Sequence, residues 1–244
     1  MAAAARRVVV DVRMLGDGGI GTYLNEVVPR VIGLRPNWHF TLLGDPDALT
    51  AASWMRRDVR RTNISIVPAT SHIYTIAEQL ELLWRSPRDA DLFWAPHYNV
   101  PLLANVPLVV TIHDVCHLAL PEAMGSWPRR MYARHVYGVI RRRARGLLFD
   151  SEFSRAEMSR LVGESAAPAA VAPLAADAWL GLQHNGDRPM GDPYLLYVGN
   201  AKRHKNVPAL LEAFRRVADR VPHRLVLLGR HTGLRADPAI ADAL

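Results

Sequence analysis

The stretch VGNAKRHKN, residues 198–206, gathers Lys202, Arg203, His204 and Lys205 between an apolar run and an amphipathic one. Cation-capable side chains at the end of a strand-like segment suit an anion, and Lys202 and Lys205 supply point charges that a pyrophosphate would neutralise. The helical pattern that follows adds the positive end of its dipole. A second anion-receptive stretch, GDGGIGTY at 16–23, also follows a β-rich run and opens a helical pattern. Glycines there let backbone amides approach a phosphate. Gly19-Ile20-Gly21 is followed by Leu24 where the dinucleotide fingerprint needs a third glycine. The competing readings are a tight turn without a ligand for the first glycines and a solvated loop for the basic run.

Histidines form the other chemistry-bearing group. His113 and His117 flank Asp114 in TIHDVCH, and His97 lies in APHYNVP. A metal set lacks an evident third ligand nearby, so no metal is expected. The favoured reading points a neutral His113 imidazole from a strand end into a ligand cleft, with Asp114 either orienting it or satisfying local backbone groups. His97 ends the preceding strand and either reaches the same cleft or is structural.

These residues need a scaffold, and alternation supplies one. RRVVVDVRM (6–14), WHFTLLG (38–44), NISIVPA (63–69), DLFWAP (91–96), PLVVTIHD (107–114), GLLFDS (146–151) and AAVAPL (169–174) read as strands. Between them, Ile20, Leu24, Val27, Val28, Val31 and Ile32 recur at helical spacing, and YTIAEQLELLW (74–84) and the Arg-rich 126–145 read as helices. SEFSRAEMSRLV opens with Ser151, and Ser154 with Glu157 predicts a capping box one turn later. The alternation predicts an α/β fold: a complete Rossmann-like, doubly wound N-terminal domain over 1–180. A Gly/Pro-rich linker over 181–193 follows, and YLLYVGN, NVPALLEAFRRVADRV (206–221) and HRLVLLGR begin a second Rossmann-like domain over 194–244, incomplete after one βαβ unit. Two anion-receptive edges on two such halves predict a nucleotide diphosphate held in a cleft between them.

Composition bounds the partners. Thirty Lys and Arg against 23 Asp and Glu give a net charge of +7, which favours phosphorylated ligands or an anionic membrane surface. The Arg-rich helix at 126–145 could touch lipid headgroups or simply solvate its arginines. No base-stacking pattern accompanies it, so nucleic acid is not an expected partner. A single cysteine, Cys116, and no signal-like or membrane-spanning run point to the cytoplasm, with peripheral contact at the inner face of the membrane.

GIGTY, EQLELLW, DLFWAPHYNVPLL, VVTIHDVCHLALPE, LLFDSEFSRAEMSRLVG, VAPLAAD and YLLYVGNAKRHKNVPALLEAF occur in that order along almost the whole chain. In this order and spacing the sequence resembles the family 4 retaining glycosyltransferases of GT-B fold. The resemblance implies transfer of a sugar, with mannose suggested, from a nucleotide-diphosphate sugar to a saccharide or lipid-linked acceptor in surface polysaccharide synthesis. It implies that Gly19, Gly21, Thr22, Lys202 or Arg203, and Lys205 hold the donor diphosphate. His113 would sit by the transferring sugar, with Asp114 and Asn200 lining the donor cleft. His72, Tyr74, His97, Tyr98 and Asn99 would lie on the acceptor side. No cofactor or metal is implied, because side chains and helix dipoles stabilise the leaving diphosphate. The family's Glu-x7-Glu motif and EGFG segment have no counterpart in these 244 residues, so this polypeptide is expected to turn over donor poorly. The alternatives are a non-catalytic acceptor-binding half needing a partner chain, or a degenerate remnant. A dinucleotide-dependent oxidoreductase is disfavoured by the broken glycine fingerprint.

Overall fold

Short runs of Val, Ile, Leu and Phe, apolar on both sides of the chain, form strands that helices must cover on both faces. The computed structural model describes residues 5–16, 18–57, 62–120, 127–175, 191, 193–200 and 203–229. The chain divides into two compact units, Met1–Ala119 with Trp127–Ala175, and Leu120–Ser126 with Ala176–Leu244. Most of the expected linker at 181–193 lies outside the described residues.

The first unit runs β1 (Arg7–Asp11), α1 (Gly18–Leu34), β2 (His39–Gly44), α2 (Pro46–Ala51), α3 (Ser53–Arg57), β3 (Ile64–Pro68), α4 (Ile76–Arg85) and β4 (Leu92–Ala95). It continues through β5 (Leu108–Ile112), α5 (Cys116–Ala119), α6 (Trp127–Arg143), β6 (Ala144–Phe149), α7 (Glu152–Val162) and β7 (Ala169–Val171). Seven strands order as β3-β2-β1-β4-β5-β6-β7, every neighbouring pair parallel. The order reverses between β1 and β4, which makes that junction the topological switch point of a doubly wound sheet.

Each face of the sheet has its own core. On one, Leu24, Val28 and Ile32 of α1 pack with Leu49, Trp54 and strand residues Val8, Val10, Phe40 and Leu42. On the other, Leu82 of α4, Val136, Tyr137 and Ile140 of α6, and Met158 of α7 meet Phe93, Val110, Leu147 and Phe149. Thus α4, α6 and α7 cover the same face.

Gly21 is fixed by this packing. A Cβ there would lie 2.5 Å from the carbonyl oxygen of Leu15, so only glycine lets α1 approach the preceding loop. Gly21→Ala is expected to cost about 1–3 kcal/mol. Urea unfolding checks this; an unchanged midpoint would mean the loop moves aside freely.

Two local expectations change. The Ser154–Glu157 capping box does not form: Ser151 caps α7 by accepting from the Ser154 amide (3.1 Å), Ser154 Oγ donates to the carbonyl of His113 (2.7 Å), and Glu157 pairs with Arg160. The helix expected over 206–221 is α8 (Val207–Arg215) followed by a separate 3-10 turn, Ala218–Arg220.

In the second unit, β8 (Tyr194–Val198) and β9 (Arg224–Leu228) pair in parallel, joined through a 3-10 turn, Arg203–Lys205, and α8. Val207 is buried against Tyr197, Leu211 and Leu227. This is the opening βαβ portion of a second Rossmann-like domain.

Candidate functional site

The carboxyl edge of the first sheet holds two polar centres. The first is built one residue beyond three adjacent strands. Ile112 of β5 pairs in register with Phe149 of β6, which sets His113 beside Asp150. Pro96 follows β4, the other neighbour of β5. His113 Nδ1 lies 2.6 Å from Asp150 Oδ2, and its Nε2 lies 2.8 Å from the carbonyl oxygen of Pro96. Carboxylate and carbonyl both accept, so both ring nitrogens carry hydrogen and the ring is an imidazolium. Burial pulls the His113 pKa down, but the hydrogen bond and charge of Asp150, then the Pro96 carbonyl and the charge of Asp114, outweigh it and the net shift is upward.

This corrects the expectation of a neutral ring, and of the two roles expected for Asp114 the one seen is that of satisfying local backbone groups. The orienting carboxylate is Asp150; Asp114 is exposed, and its Oδ1 accepts from the Cys116 amide at 2.9 Å. Tyr23 of α1 meets the His113 ring edge-on, centroids 4.9 Å apart, and its hydroxyl lies 3.3 Å from Thr111 Oγ1.

The second centre occupies the switch point. Arg13 grips Asp11 with two hydrogen bonds, Nε to Oδ1 at 2.9 Å and Nη2 to Oδ2 at 2.7 Å, and its Nη1 lies 3.0 Å from Glu78 Oε1. All three side chains are buried. His97 Nδ1 accepts from the Asn99 amide (3.1 Å), so its hydrogen is on Nε2, 3.2 Å from Asp11 Oδ2. Burial pushes the Asp11 carboxyl up, yet Arg13 and then His97 hold it well below the usual carboxylate range. Glu78 Oε2 accepts from the amide of Tyr74, a non-glycine residue at φ 69°, and so holds a sparsely populated backbone conformation in place.

The structure distributes the acceptor-side candidates among three environments. His97 and Asn99 are buried in the ionic network. Tyr74 and Tyr98 are half-buried, their hydroxyls 2.6 Å apart, within a cluster that includes His117, Tyr132 and Tyr137. His72 is exposed, and its carbonyl accepts from Thr75 Oγ1. Among the described residues no three His, Cys, Asp or Glu side chains are arranged to hold a metal.

Of the diphosphate candidates, Gly19 is exposed near the first turn of α1 with open space above it, Gly21 is buried, and the exposed Thr22 bonds back to the carbonyl of Gly18. Lys205 is exposed at the turn before α8, and the Arg203 backbone lies in the same turn. Asn200 is half-buried, its carbonyl accepting from the Tyr197 hydroxyl at 3.0 Å. Lys202 lies outside the described residues.

Sequence reasoning missed Asp11, Arg13, Glu78 and Asp150. The only signal was local: a charged residue closing an apolar run, Asp11 after RVVV and Asp150 after GLLF, is poorly placed for a solvated loop and well placed for a strand's carboxyl edge. A depression of about 390 Å³ opens instead toward the amino ends of β1 and β2, lined by Arg7, His39, Pro87 and Asp89 among others. Arg7 and Asp89 already pair there. The chemistry is concentrated at the opposite edge.

No known protein family and no curated protein sequence matches the chain. Solved structures do. Sucrose-phosphate synthase from Thermosynechococcus elongatus superposes with a TM-score of 0.64 at 17% identity, over 97% of this chain and 65% of that one. A UDP-N-acetylglucosamine 2-epimerase, so described, from Listeria monocytogenes superposes with a TM-score of 0.55 at 13% identity, over 99% of this chain and 65% of that one. The chain thus spans a little under two thirds of the length of these structures. At such identities the likeness establishes the fold: α/β of GT-B type, with one complete Rossmann-like sheet and the start of a second.

Proposed function

We propose that the gene product is a glycosyltransferase that moves a sugar from a nucleotide-diphosphate sugar to a saccharide or lipid-linked acceptor. One observation carries the reading: a half-buried carboxylate and a backbone carbonyl fix an imidazolium at the carboxyl edge of a GT-B-type sheet, where open α/β sheets bind ligands. The two similar structures, a sucrose-phosphate synthase and a UDP-N-acetylglucosamine 2-epimerase, support it. Fold alone does not fix chemistry.

In this reading the bond from the anomeric carbon to the diphosphate oxygen breaks, the electron pair leaves with the diphosphate, and the acceptor oxygen bonds to the same face of the sugar. The acceptor proton passes to the departing phosphate oxygen. His113 has no unprotonated nitrogen with which to act as a base. Its role is a fixed positive charge whose Nε2–H a substrate oxygen can take over from Pro96. Gly19 and Thr22 at the start of α1, and Lys205 with Lys202 or Arg203 in the second unit, are proposed diphosphate contacts. Mannose as the sugar and surface polysaccharide as the product rest on the family resemblance alone.

Calorimetric titration of GDP-, UDP- and dTDP-sugars into the full gene product tests the proposal, followed by product analysis with saccharide and lipid-linked acceptors. One nucleotide sugar is expected to bind and be consumed, and Lys205→Ala to weaken its binding about tenfold or more, as expected for losing a charge-assisted hydrogen bond. Absence of binding by every nucleotide sugar would overturn it. Acceptor binding without donor consumption would favour a non-catalytic acceptor-binding protein.

A further inference from the structure

The α4–α6 layer carries large apolar side chains on its outer side. Ile76, Leu80 and Trp84 recur every four residues along α4, opposite the face that buries Gln79 and Leu82. Ile76 is 80% exposed and Trp84 78%. Trp127, in the first turn of α6, is 71% exposed, and Met131 lies one turn further on. The two helices cover the same sheet face, and Tyr74, just before α4, contacts Tyr132 of α6 with ring centroids 5.7 Å apart. Their outward sides therefore face the same way. Aligned apolar exposure of this kind marks an interaction surface rather than scattered surface residues.

The charge of that surface names its partner. The 17 residues of α6 include no Asp or Glu. Arg129, Arg130, Arg134 and Arg142 are exposed, and among the described residues none of them meets a carboxylate. Exposed tryptophans beside arginines that meet no carboxylate among the described residues match the boundary between lipid headgroups and acyl chains, where aromatic rings settle and cations meet lipid phosphates. A nucleic acid would satisfy the arginines and leave Ile76, Leu80, Trp84 and Met131 unexplained. A second copy docked through the same face would oppose arginine to arginine.

We propose that the outer face of α4 and α6 is a docking surface for an anionic phospholipid bilayer. No helix among the described residues is long and apolar enough to cross a membrane, so attachment would be at the interface. The proposal does not rest on the transfer reaction.

The test is co-sedimentation of the full gene product with phosphatidylcholine vesicles, with or without phosphatidylglycerol. Binding is expected only with the anionic lipid, weakening as salt rises. The charge reversal Arg129→Glu/Arg130→Glu/Arg134→Glu is expected to reduce it about tenfold or more. Brominated lipids should quench the tryptophan emission of the wild type much more than that of Trp84→Phe/Trp127→Phe. Circular dichroism checks that the variants, altered only at exposed positions, stay folded. No binding to anionic vesicles, equal binding by the charge-reversed protein, or binding to duplex DNA with emission that brominated lipid leaves unquenched would overturn the proposal.

Discussion

Arg13→Leu is expected to destabilise the protein by about 3–5 kcal/mol, the cost of leaving a buried charge without its partner. The guanidinium lies 2.7 Å from Asp11 and 3.0 Å from Glu78, and both carboxylates are fully buried. Removing it leaves two like charges side by side in a buried site. The effect also has a pH signature. In the wild type the Asp11 carboxyl is held below its unfolded value of about 3.9, so its contribution is complete above that pH and is lost as acid protonates it. In the variant, burial dominates and the carboxyl titrates above its unfolded value, so acid relieves the strain instead. The stability gap should therefore be wide near about pH 7 and narrow toward about pH 4.5. Urea unfolding of both proteins at the two pH values measures it. A gap under about 1 kcal/mol at neutral pH would mean that water or rearrangement replaces the guanidinium.

The same network shows what a linear sequence conceals. Each apolar run expected as a strand holds one, because a run of Val, Ile and Leu bounded by turn residues is a local signal. The short α2 and α3 escaped notice because too few turns repeat to show a period. The polar centres are invisible for a different reason. Arg13 meets Glu78 and His113 meets Asp150 only after the sheet has set strand ends side by side. His113 was found through its place after an apolar run, but its charge state depends on a carboxylate 37 residues away. Asp114, the obvious neighbour in sequence, turns back to cap its own loop. Gly21 reads in sequence as a phosphate contact, and the fold shows that it must also be small to pack against Leu15.

Asp150→Asn is expected to lower turnover of the full gene product by about 100-fold or more, within the range for losing a positioned charged group. The substitution keeps the shape of the side chain and removes the charge that holds His113 protonated at 2.6 Å. Burial, which the wild-type carboxylate outweighs, then lowers the ring's pKa, and the site loses its cation at a lower pH than in the wild type. Because Asp150 acts through His113, it is a positioning residue, and the expected change is in kcat with donor KM little altered. Stability gives an independent readout. In the wild type the His113 pKa is raised above its unfolded value of about 6.5, so the pair contributes fully below that pH and its contribution fades as pH rises through the folded value. Asp150→Asn should therefore cost more stability at about pH 6 than at about pH 9, and the His113 ring should titrate at lower pH by NMR. A purely structural role for Asp150 would leave that titration where it was. If the ring titrates as in the wild type and turnover survives, the imidazolium is not the group that serves the reaction.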